Sequence, residues 1–304
     1  MAFDHVVVLG AGAIGSVYAA KLSDAIDVTI VAREAHVGAI LRAGLRLTGL
    51  EERTVGVRAV TALEQVEPRT LVLLTTKVNG NRAAIGSIAA GLRDDTVVLC
   101  VQNGLDGEVI VKDEIARRHA GCQAAVLRAV TQCGAIFLEP GLVDLKVAGE
   151  TILEPHGRSR EIVDLLTAAG LPARVSDRIA VEIWRKLIFN CVINPITSIA
   201  GTEVGGIANP QLDPLKRLVV DECVKVAHAV GVEFDEDLVR AVGEIYGPSR
   251  NVASMRQDLL RGRPTEIAYM NGAVVALGRR LGMECPVNSA LVAMIRAMEG
   301  KIAG

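Results

Sequence analysis

The sequence predicts an α/β N-terminal half with a Rossmann-like, doubly wound sheet, followed by an all-α C-terminal half. Three observations carry this prediction. Short β-branched runs alternate with helical segments from residue 5 to about residue 118. Two of the runs, at 70–74 and 96–101, are almost entirely apolar, as strands buried on both faces of a parallel sheet are. After about residue 177, apolar residues recur with a helical period instead.

The first half divides into strands and helices in turn. Strands are predicted in four segments: "DHVVVLG", "DVTIVAR", "TLVLLTTK" and "TVVLCVQNG". A helix follows each of the first two, and further helices are predicted near 79–90 and 105–118. The segment "LRLTGLEERTVGVRAV" alternates like a hairpin. Residues 122–153 are rich in β-branched residues and glycine and are expected to form antiparallel strands, before a helix near 159–169 and a strand near 173–176.

Five helices are predicted in the second half: "SDRIAVEIWRKLIFNCVIN", "LDPLKRLVVDECVKVAHAVG", "DLVRAVGEIYG", "SMRQDLLRG" and "TEIAYMNGAVVALGRRLG". The first is expected to end at Asn194, because Pro195 has no N–H for the next helical hydrogen bond. Composition does not shift sharply along the chain, so the domain boundary rests on the pattern alone. It gives a Rossmann-like domain at 1–175 and a helical domain at 176–304.

The bulk composition of the 304 residues excludes several classes of protein. The formal net charge of −2 and a pI near 6.2 leave no basic surface for nucleic acid or an anionic membrane. Mean hydropathy is +0.36, yet no apolar run approaches the roughly 20 residues of a membrane span. "MAFDHVVVLG" lacks the basic start of a secretory signal. Six scattered cysteines without a CxxC pair predict free buried thiols, no metal site and a soluble cytoplasmic protein.

The segment "GAGAIG", residues 10–15, places Gly10, Gly12 and Gly15 in a GxGxxG frame between a predicted strand and a predicted helix. In a dinucleotide-binding turn the first glycine makes the tight bend, and the second admits a pyrophosphate. The third allows close packing of helix on strand. A glycine turn without a ligand is the simpler interpretation. The position between strand and helix at the start of the chain favours a dinucleotide site formed by Gly10, Ala11, Gly12, Ala13, Ile14 and Gly15.

The end of the second predicted strand bears on the choice of cofactor. Enzymes that use NAD usually place an acidic residue there, which binds the ribose hydroxyls. This chain has Arg33 followed by Glu34. A planar guanidinium is suited to a 2′-phosphate, so Arg33 favours NADP (NADPH) over NAD. The alternative is a solvated Arg33 beside a Glu34 that binds NAD.

A line of polar residues interrupts the otherwise apolar helix "WRKLIFNCVINP". Lys186, Asn190 and Asn194 are four residues apart, so each lies only about 40° around the helix from the one before, and all three project from nearly one face. A buried ammonium and two buried amides are costly unless something pairs with them. Another part of the chain or a ligand is therefore expected to meet them. A simpler partner for Lys186 is Glu182, one turn earlier.

Six segments together resemble the ketopantoate reductase (2-dehydropantoate 2-reductase) family from end to end: "GAGAIG", "TTK", "QNG", "WRKLIFNCVINP", "ASMRQD" and "TEIAYMNG". The resemblance implies a Rossmann domain joined to a helical domain, with the active site in the cleft between them. It also implies reduction of ketopantoate to pantoate by hydride transfer from NADPH, in the biosynthesis of pantothenate and coenzyme A. The expected partners are a small-molecule 2-keto acid and, at most, a second copy of the chain in a homodimer.

The resemblance also implies roles for single residues. Lys186 matches the general acid, and Glu266 matches the carboxylate that orients the lysine or the new hydroxyl. Substrate oxygens are expected to bind the side chains of Asn103, Asn190, Asn194 and Ser254. Lys77 and Asn103 are expected beside the nicotinamide, and Asp258 is expected to support Ser254 from the same helix face. Each of these also has a plain structural interpretation, as a loop, capping or surface residue.

One position departs from the family pattern, since members commonly read "TEID" where this chain has Ala268. The loss of that carboxylate leaves Lys186 and Glu266 in place but bears on the pocket and its substrate. Two alternatives therefore stay open beside ketopantoate reduction. One is a related NAD(P)-dependent 2-keto acid or β-hydroxyacid dehydrogenase with another substrate. The other is a non-catalytic dinucleotide-sensing module.

Overall fold

A computed structural model describes residues 3–105 and 107–302, without the side chains of residues 301 and 302. The chain forms two compact units. Unit 1 comprises residues 3–102 and 107–179, and unit 2 comprises residues 103–105 and 180–302. The short segment 103–105 is the only part of the described first half that is grouped with unit 2. This grouping does not follow the linear order of the chain.

Unit 1 carries every strand that the described residues form. In chain order they are β1 (His5–Leu9), β2 (Asp27–Val31), β3 (Leu45–Gly49), β4 (Arg53–Val55), β5 (Arg58–Val60), β6 (Thr70–Leu74), β7 (Val97–Val101), β8 (Ala125–Thr131), β9 (Gly134–Glu139), β10 (Leu142–Val147), β11 (Thr151–Leu153) and β12 (Ala173–Val175). Its helices are α1 (Ala13–Leu22), α2 (Glu34–Ala43), α3 (Asn81–Ile88), α4 (Gly107–Arg118) and α5 (Ser159–Ala168).

Eight strands form the main sheet, in the order β12-β11-β8-β7-β6-β1-β2-β5. Every pairing in it is parallel except that of β8 with β11. Strand β1 lies between β2 and β6, with His5 opposite Asp27 on one side and Thr70 on the other. The chain therefore reverses its direction of winding at β1, which is where doubly wound sheets bind dinucleotides. The predicted fold class, a Rossmann-like sheet followed by a helical half, is confirmed.

A second sheet of four strands has the order β4-β3-β10-β9. Strands β3 and β4 pair in antiparallel fashion, as the hairpin prediction requires. The last part of the predicted hairpin was wrong, because β5 does not join it but pairs in parallel with β2 in the main sheet. The antiparallel prediction for 122–153 is confirmed for β9 with β10 and β8 with β11. It was wrong for the other partners of β8 and β10, which are the parallel neighbours β7 and β3.

Apolar side chains cover both faces of the main sheet. Along β1, Val6 and Val8 point into one buried cluster, while Val7 and Leu9 point into another. This alternation follows from the period of two in a strand. Strands β6 and β7 are buried at every position, which explains their continuous apolar sequence. Polar groups are thereby confined to the strand ends, where the candidate site residues of unit 1 lie.

The described residues of unit 2 form helices, turns and connecting loops, and no strand. Its helices are α6 (Ile179–Ala200), α7 (Asp213–Ala229), α8 (Leu238–Tyr246), α9 (Ser254–Leu260), α10 (Asn271–Arg280) and α11 (Pro286–Ile302), and short 3-10 turns lie between them. Helix α6 begins one residue before the unit boundary. One apolar cluster, with Trp184, Ile188 and Val192 of α6 among its members, joins the helices. Helix α6 is therefore the central element of this unit.

Three predictions for the second half need correction. Helix α6 does not end at Asn194 but continues through Pro195 to Ala200. The segment "TEIAYMNGAVVALGRRLG" is not one helix, because Ile267–Tyr269 is a 3-10 turn and α10 begins only at Asn271. Helix α11 was not among the predicted helices. Pro286 at its first position is favourable, since the missing N–H has no partner in a first turn.

Candidate functional site

The turn at residues 10–15, named here the glycine turn, joins β1 to α1 in unit 1. Gly10 has φ +96°, and a Cβ there would overlap the Thr76 side chain and lie 2.8 Å from the Thr76 nitrogen. A Cβ on Gly15 would overlap the Thr75 hydroxyl and lie 3.0 Å from Val8 Cγ1. Gly12, by contrast, has nothing within 4 Å of an added Cβ. Gly10 and Gly15 are therefore required by the protein itself, whereas the space beside Gly12 is open to a ligand.

The N-terminus of α1 lies beside that open space. Gly12 is its N-cap and supplies no side-chain hydrogen bond, and the first turn holds no acidic residue. Ala11 is buried, Gly12 is exposed, and Ala13 and Ile14 are half-buried. Backbone N–H groups and the helix dipole are thus left for an anion, which is how dinucleotide-binding turns hold a pyrophosphate. The chemistry of the glycine turn fits a dinucleotide.

Arg33 lies at the end of β2, where it is the N-cap residue of α2 and is exposed. Glu34, also exposed, follows in the first turn of α2. Both side chains that bear on the choice between NADP and NAD are therefore accessible. Because both side chains are exposed, their burial does not favour one cofactor over the other.

A buried histidine that sequence reasoning missed lies one turn further along α2. Gly141 N–H donates to His36 Nδ1 at 2.9 Å, and His36 Nε2 lies 3.2 Å from Ser16 Oγ of α1. Nδ1 is an acceptor here, so Nε2 carries the proton and donates to Ser16. Burial, and then the charge of Arg33, lowers the pKa of His36. The neutral ring thus links α1, α2 and the β9–β10 turn.

A polar network closes the carboxyl ends of β6 and β7, and is named here the Gln102 network (Thr76, Asn81, Gln102 and Arg128). Asn81 Nδ2 donates to Gln102 Oε1 at 2.8 Å, and Gln102 Nε2 donates to the Thr76 carbonyl at 2.6 Å. Arg128 Nη2 donates to the Gln102 carbonyl at 2.9 Å. Sequence reasoning gave none of these four residues a role. For Thr76 and Gln102 the available signal was a polar residue just after a buried strand.

The Gln102 network holds the two loops that carry predicted site residues. Lys77 follows Thr76 directly and is half-buried at the start of a 3-10 turn. Asn103 follows Gln102 directly, at the start of the segment grouped with unit 2. The side chains of Asn81, Gln102 and Arg128 are all buried. The network therefore fixes the backbone immediately before each of these two residues.

Lys186, Asn190 and Asn194 in unit 2, named here the polar line, lie on α6. Lys186 and Asn190 are half-buried, and Asn194 is buried. Asn190 Nδ2 donates to Asn103 Oδ1 at 3.4 Å, so Asn103 belongs beside the polar line. Asn194 Nδ2 reaches Met270 Sδ at 3.6 Å, and Ser254 Oγ reaches Asn194 Oδ1 at 3.5 Å. Bonds of this length are weak, so both amides retain most of their hydrogen-bonding capacity.

The remaining predicted residues lie on segments that flank the polar line in unit 2. Ser254 is exposed at the start of α9, and Asp258 is half-buried on the same helix. Glu266 is half-buried just before the 3-10 turn Ile267–Tyr269, and Ala268 within that turn is exposed. A Cβ on Gly104 would lie 2.7 Å from the Tyr269 carbonyl, so the segment 103–105 packs closely against this turn.

Cys191 lies next to Asn190, but burial and then Cys223 raise its pKa well above the usual range, so the thiol stays protonated. Across residues 3–105 and 107–302, no three His, Cys, Asp or Glu side chains are grouped so as to hold a metal ion. Within those same ranges, no helix combines the length and hydropathy of a membrane span.

Comparison with known proteins places both halves in one family. The profile described as "Ketopantoate reductase PanE/ApbA" matches residues 6–158, and the profile of its C-terminal domain matches residues 178–299. A 2-dehydropantoate 2-reductase from Pyrococcus horikoshii is 34% identical over 302 residues, which cover 97% of each chain. Another from Archaeoglobus fulgidus is 34% identical over 307 residues, covering 98% of this chain and 99% of its relative.

Solved structures agree with the fold. A PanE/ApbA family ketopantoate reductase from Ralstonia eutropha JMP134 has a TM-score of 0.90 at 30% identity, covering 99% of this chain and 100% of the other. A D-mandelate dehydrogenase, solved with NADH and anilino(oxo)acetate, has a TM-score of 0.90 at 26% identity and the same coverage. Proteins of this fold therefore include one with a different 2-hydroxy acid in its name and NADH as its ligand.

Proposed function

The chain belongs to the ketopantoate reductase family, and we propose that it reduces 2-dehydropantoate (ketopantoate) to pantoate with NADPH. This step provides pantoate for pantothenate and coenzyme A biosynthesis. The proposal is supported by profile matches in both halves and by curated relatives at 34% identity that share this enzyme name.

One observation carries the chemistry. In unit 2, segments distant in sequence bring Asn103 to Asn190, and bring Ser254 and Met270 to Asn194, through bonds of 3.4 to 3.6 Å. Buried Asn194 and half-buried Asn190 have such weak partners that their amides are costly to the fold unless a ligand completes their hydrogen bonding. Ketopantoate presents carboxylate, carbonyl and hydroxyl oxygens that suit two amides and a hydroxyl. The same helix face supplies a cation, Lys186.

We assign roles to the residues accordingly. The bound dinucleotide supplies a hydride to the carbonyl carbon of the keto acid. Lys186 stabilises the negative charge that develops on the carbonyl oxygen and donates the proton that makes it a hydroxyl. Glu266 orients the Lys186 ammonium or the new hydroxyl. The side chains that bind substrate oxygens are those of Asn103, Asn190, Asn194 and Ser254.

The cofactor site is proposed to consist of the glycine turn, Arg33, Lys77 and Asn103. The open space beside Gly12 and the uncapped start of α1 receive the pyrophosphate. The exposed guanidinium of Arg33 binds the 2′-phosphate of NADPH. Equal dissociation constants of the wild-type protein for NADPH and NADH would overturn this use of Arg33. Arg33→Ala is expected to weaken NADPH binding and leave NADH binding unchanged.

The direct test mixes purified protein with NADPH and ketopantoate and follows the loss of NADPH absorbance. Lys186→Ala is expected to lower kcat by a factor on the order of 100 or more, as loss of a general acid does. The matched control is Lys225→Ala, because Lys225 is an exposed lysine on α7 of the same unit. Near-normal turnover by Lys186→Ala would reject its role as the acid. Tight NADPH binding without turnover of any 2-keto acid would favour a sensing module instead.

A second candidate function is reduction of a different 2-keto acid. Ala268 stands where the family commonly carries a carboxylate, and it is exposed two residues after Glu266. The D-mandelate dehydrogenase of the same fold is 26% identical to this chain. A substrate panel that includes ketopantoate and the 2-keto acid corresponding to mandelate separates the two. A higher kcat/KM for the aromatic keto acid would favour this alternative.

A further inference from the structure

Helix α6 carries a proline in its interior, close to the polar line. Pro195 lies within Ile179–Ala200, and its ring nitrogen has no hydrogen. The carbonyl that would accept that hydrogen bond, four residues earlier, is that of Cys191. Cys191 lies between Asn190 and Asn194 in sequence. An unsatisfied buried carbonyl at this point would favour breaking or bending the helix between the two amides.

The side chain of Asn271 supplies the missing donor. Its Nδ2 donates to the Cys191 carbonyl at 2.9 Å, and Asn271 is completely buried at the start of α10. The same amino group donates to Asn288 Oδ1 at 2.9 Å. Asn288 Nδ2 in turn donates to Glu222 Oε2 at 2.7 Å, which fixes the orientation of the Asn288 amide. Both partners of the Asn271 amino group are therefore acceptors, and the orientation of its own amide is fixed as well.

The Asn271 amide contributes through its amino group. Among the described residues, Asn271 Oδ1 accepts no hydrogen bond although it is buried. Burying a side-chain oxygen that accepts no hydrogen bond costs free energy. The fold therefore keeps Asn271 in this position only if its amino group makes a hydrogen bond that is needed. That partner is the carbonyl that Pro195 leaves without a backbone donor.

Asn271 also fixes the segment opposite the polar line. The preceding residue, Met270, places its Sδ against Asn194 Nδ2. Tyr269, one residue earlier, packs its carbonyl closely against Gly104, next to Asn103. One buried amide thus ties the helix that carries Asn190 and Asn194 to the segment that contacts Gly104 and Asn194. A movement of the Asn271 side chain would displace both sides of this group.

We propose that Asn271 is a positioning residue for keto acid binding, a role that rests on the proposed function. It replaces the hydrogen bond that Pro195 removes, so that α6 continues as one helix and Asn190 and Asn194 stay on the face of Lys186. Asn271 touches neither substrate nor cofactor in this role. Its effect is on the placement of the polar line, and the part of the proposed dinucleotide site that lies in unit 1, namely the glycine turn, Arg33 and Lys77, does not depend on it.

The test is a double-mutant cycle between positions 195 and 271. Pro195→Ala restores a main-chain N–H that can donate to the Cys191 carbonyl. Asn271→Leu removes the amide at similar volume. The single Asn271→Leu variant is expected to raise KM for the keto acid by a factor on the order of 10 to 100, since small displacements of binding groups have effects of that size. Its dissociation constant for NADPH is expected to stay within about twofold of wild type.

Rescue distinguishes positioning from general destabilisation. In the Pro195→Ala background, Asn271→Leu is expected to raise KM by no more than about threefold, because the backbone then supplies the donor. Pro195→Ala alone is expected to keep near wild-type kinetics. Thr197→Val is the control within α6. The buried Thr197 hydroxyl donates to the Ile193 carbonyl at 2.7 Å, but the backbone N–H of residue 197 can donate to the same carbonyl after the change. It is expected to lower the Tm without raising KM.

Two kinetic results would overturn the proposal. One is an unchanged KM in Asn271→Leu, and the other is an equal rise in KM in both backgrounds. If Asn271→Leu alone does not fold, Asn271→Ser takes its place in the same cycle. The Tm values of the four proteins give the coupling between the two positions without any activity. A wild-type protein that reduces no 2-keto acid would therefore defeat the proposed function, whereas additive Tm changes would defeat the link between Asn271 and Pro195.

Discussion

The glycine turn of unit 1 and the polar line of unit 2 differ in where the residues that fix them lie along the chain. In the glycine turn, the pattern itself is local, because β1, three glycines and α1 follow one another within residues 5–22, and only the close contacts of Gly10 and Gly15 come from Thr75 and Thr76 after β6. In the polar line, every described partner of an amide comes from more than 55 residues away: Asn103 for Asn190, and Ser254 and Met270 for Asn194.

The two regions also present different groups to a ligand. The glycine turn offers backbone N–H groups and a helix dipole, which bind phosphate regardless of the side chains present. The polar line offers side-chain amides, a hydroxyl and an ammonium, which distinguish one organic acid from another. A substitution in the first region should therefore change folding or dinucleotide binding. A substitution in the second should change the affinity for the keto acid while folding is little affected.

The largest effect is expected within the glycine turn itself, between two of its glycines. Gly10→Ala places a Cβ at φ +96° against the backbone of Thr76, whereas Gly12→Ala places one in open space at φ −80°. Positive φ and overpacking together should lower the free energy of unfolding of Gly10→Ala by roughly 2–4 kcal/mol. Gly12→Ala should unfold within about 0.5 kcal/mol of wild type. Thermal unfolding without cofactor measures both.

Dinucleotide binding provides the other half of that prediction. Gly12→Ala should weaken NADPH binding by a factor on the order of 10 or more, because its methyl group occupies the space left for the phosphates. Titration calorimetry on the folded variant measures this. If Gly12→Ala bound NADPH like the wild type, the open space would not be the phosphate site. If Gly10→Ala were as stable as the wild type, the contact with Thr76 would not constrain the turn.

Features that depend on neighbouring residues could be predicted from the sequence, whereas features that depend on distant residues could not. The order β1, glycine turn, α1 and the apolar strands β6 and β7 depend on neighbours in the chain, and these were predicted correctly. The course of α6 beyond Asn194 depends on Asn271, whose amino group satisfies the Cys191 carbonyl from 80 residues away. Local rules for proline predict a helix end there, and only the tertiary donor explains why the helix continues.

Two other differences have the same physical origin. The strand at 58–60 leaves the predicted hairpin because β2 offers it a parallel edge in the main sheet. Asn103 was placed by its position after β7, but its side chain accepts a bond from Asn190 of α6. The sequence did contain a signal for Asn271, since an interior proline in a buried helix requires a donor from elsewhere. The segment "YMNG" offers a buried amide, although nothing local indicates that the two meet.

The next effect in size concerns the amide of Asn194. Its bonds to Met270 and Ser254 are long, so Asn194→Leu should change the free energy of unfolding by less than about 1 kcal/mol. The same change should raise KM for the keto acid by a factor on the order of 10 or more, the worth of one hydrogen bond to a charged carboxylate. Steady-state kinetics with saturating NADPH, together with thermal unfolding, measure the two effects.

Asn288→Leu is the matched control for Asn194→Leu. Both amides are buried in unit 2, but Asn288 makes short bonds, at 2.7 Å to Glu222 and at 2.9 Å from Asn271. Its replacement should lower the free energy of unfolding by roughly 2–3 kcal/mol, because buried partners lose their hydrogen bonds. A large stability loss in Asn194→Leu with unchanged KM would show that Asn194 is a structural amide, and the contrast between the two regions would fail there.

The smallest expected effect is a pH dependence of stability from His36, beside the glycine turn. Burial and then Arg33 lower the folded-state pKa of His36 below its ordinary 6.5, so the unfolded chain binds the proton more readily. The stability from neutral His36 is therefore fully present above about pH 6.5 and is lost as the pH falls through the folded-state pKa. Protonation of Nδ1 would also remove the acceptor for Gly141 N–H.

The measurement is the Tm as a function of pH. The fall in Tm between about pH 7.5 and 5.5 should be smaller in His36→Gln than in wild type. His156→Gln, which removes an exposed imidazole that also accepts a backbone N–H, is the matched control. An equal fall in Tm for His36→Gln and wild type would show that the histidine does not link the glycine turn to pH.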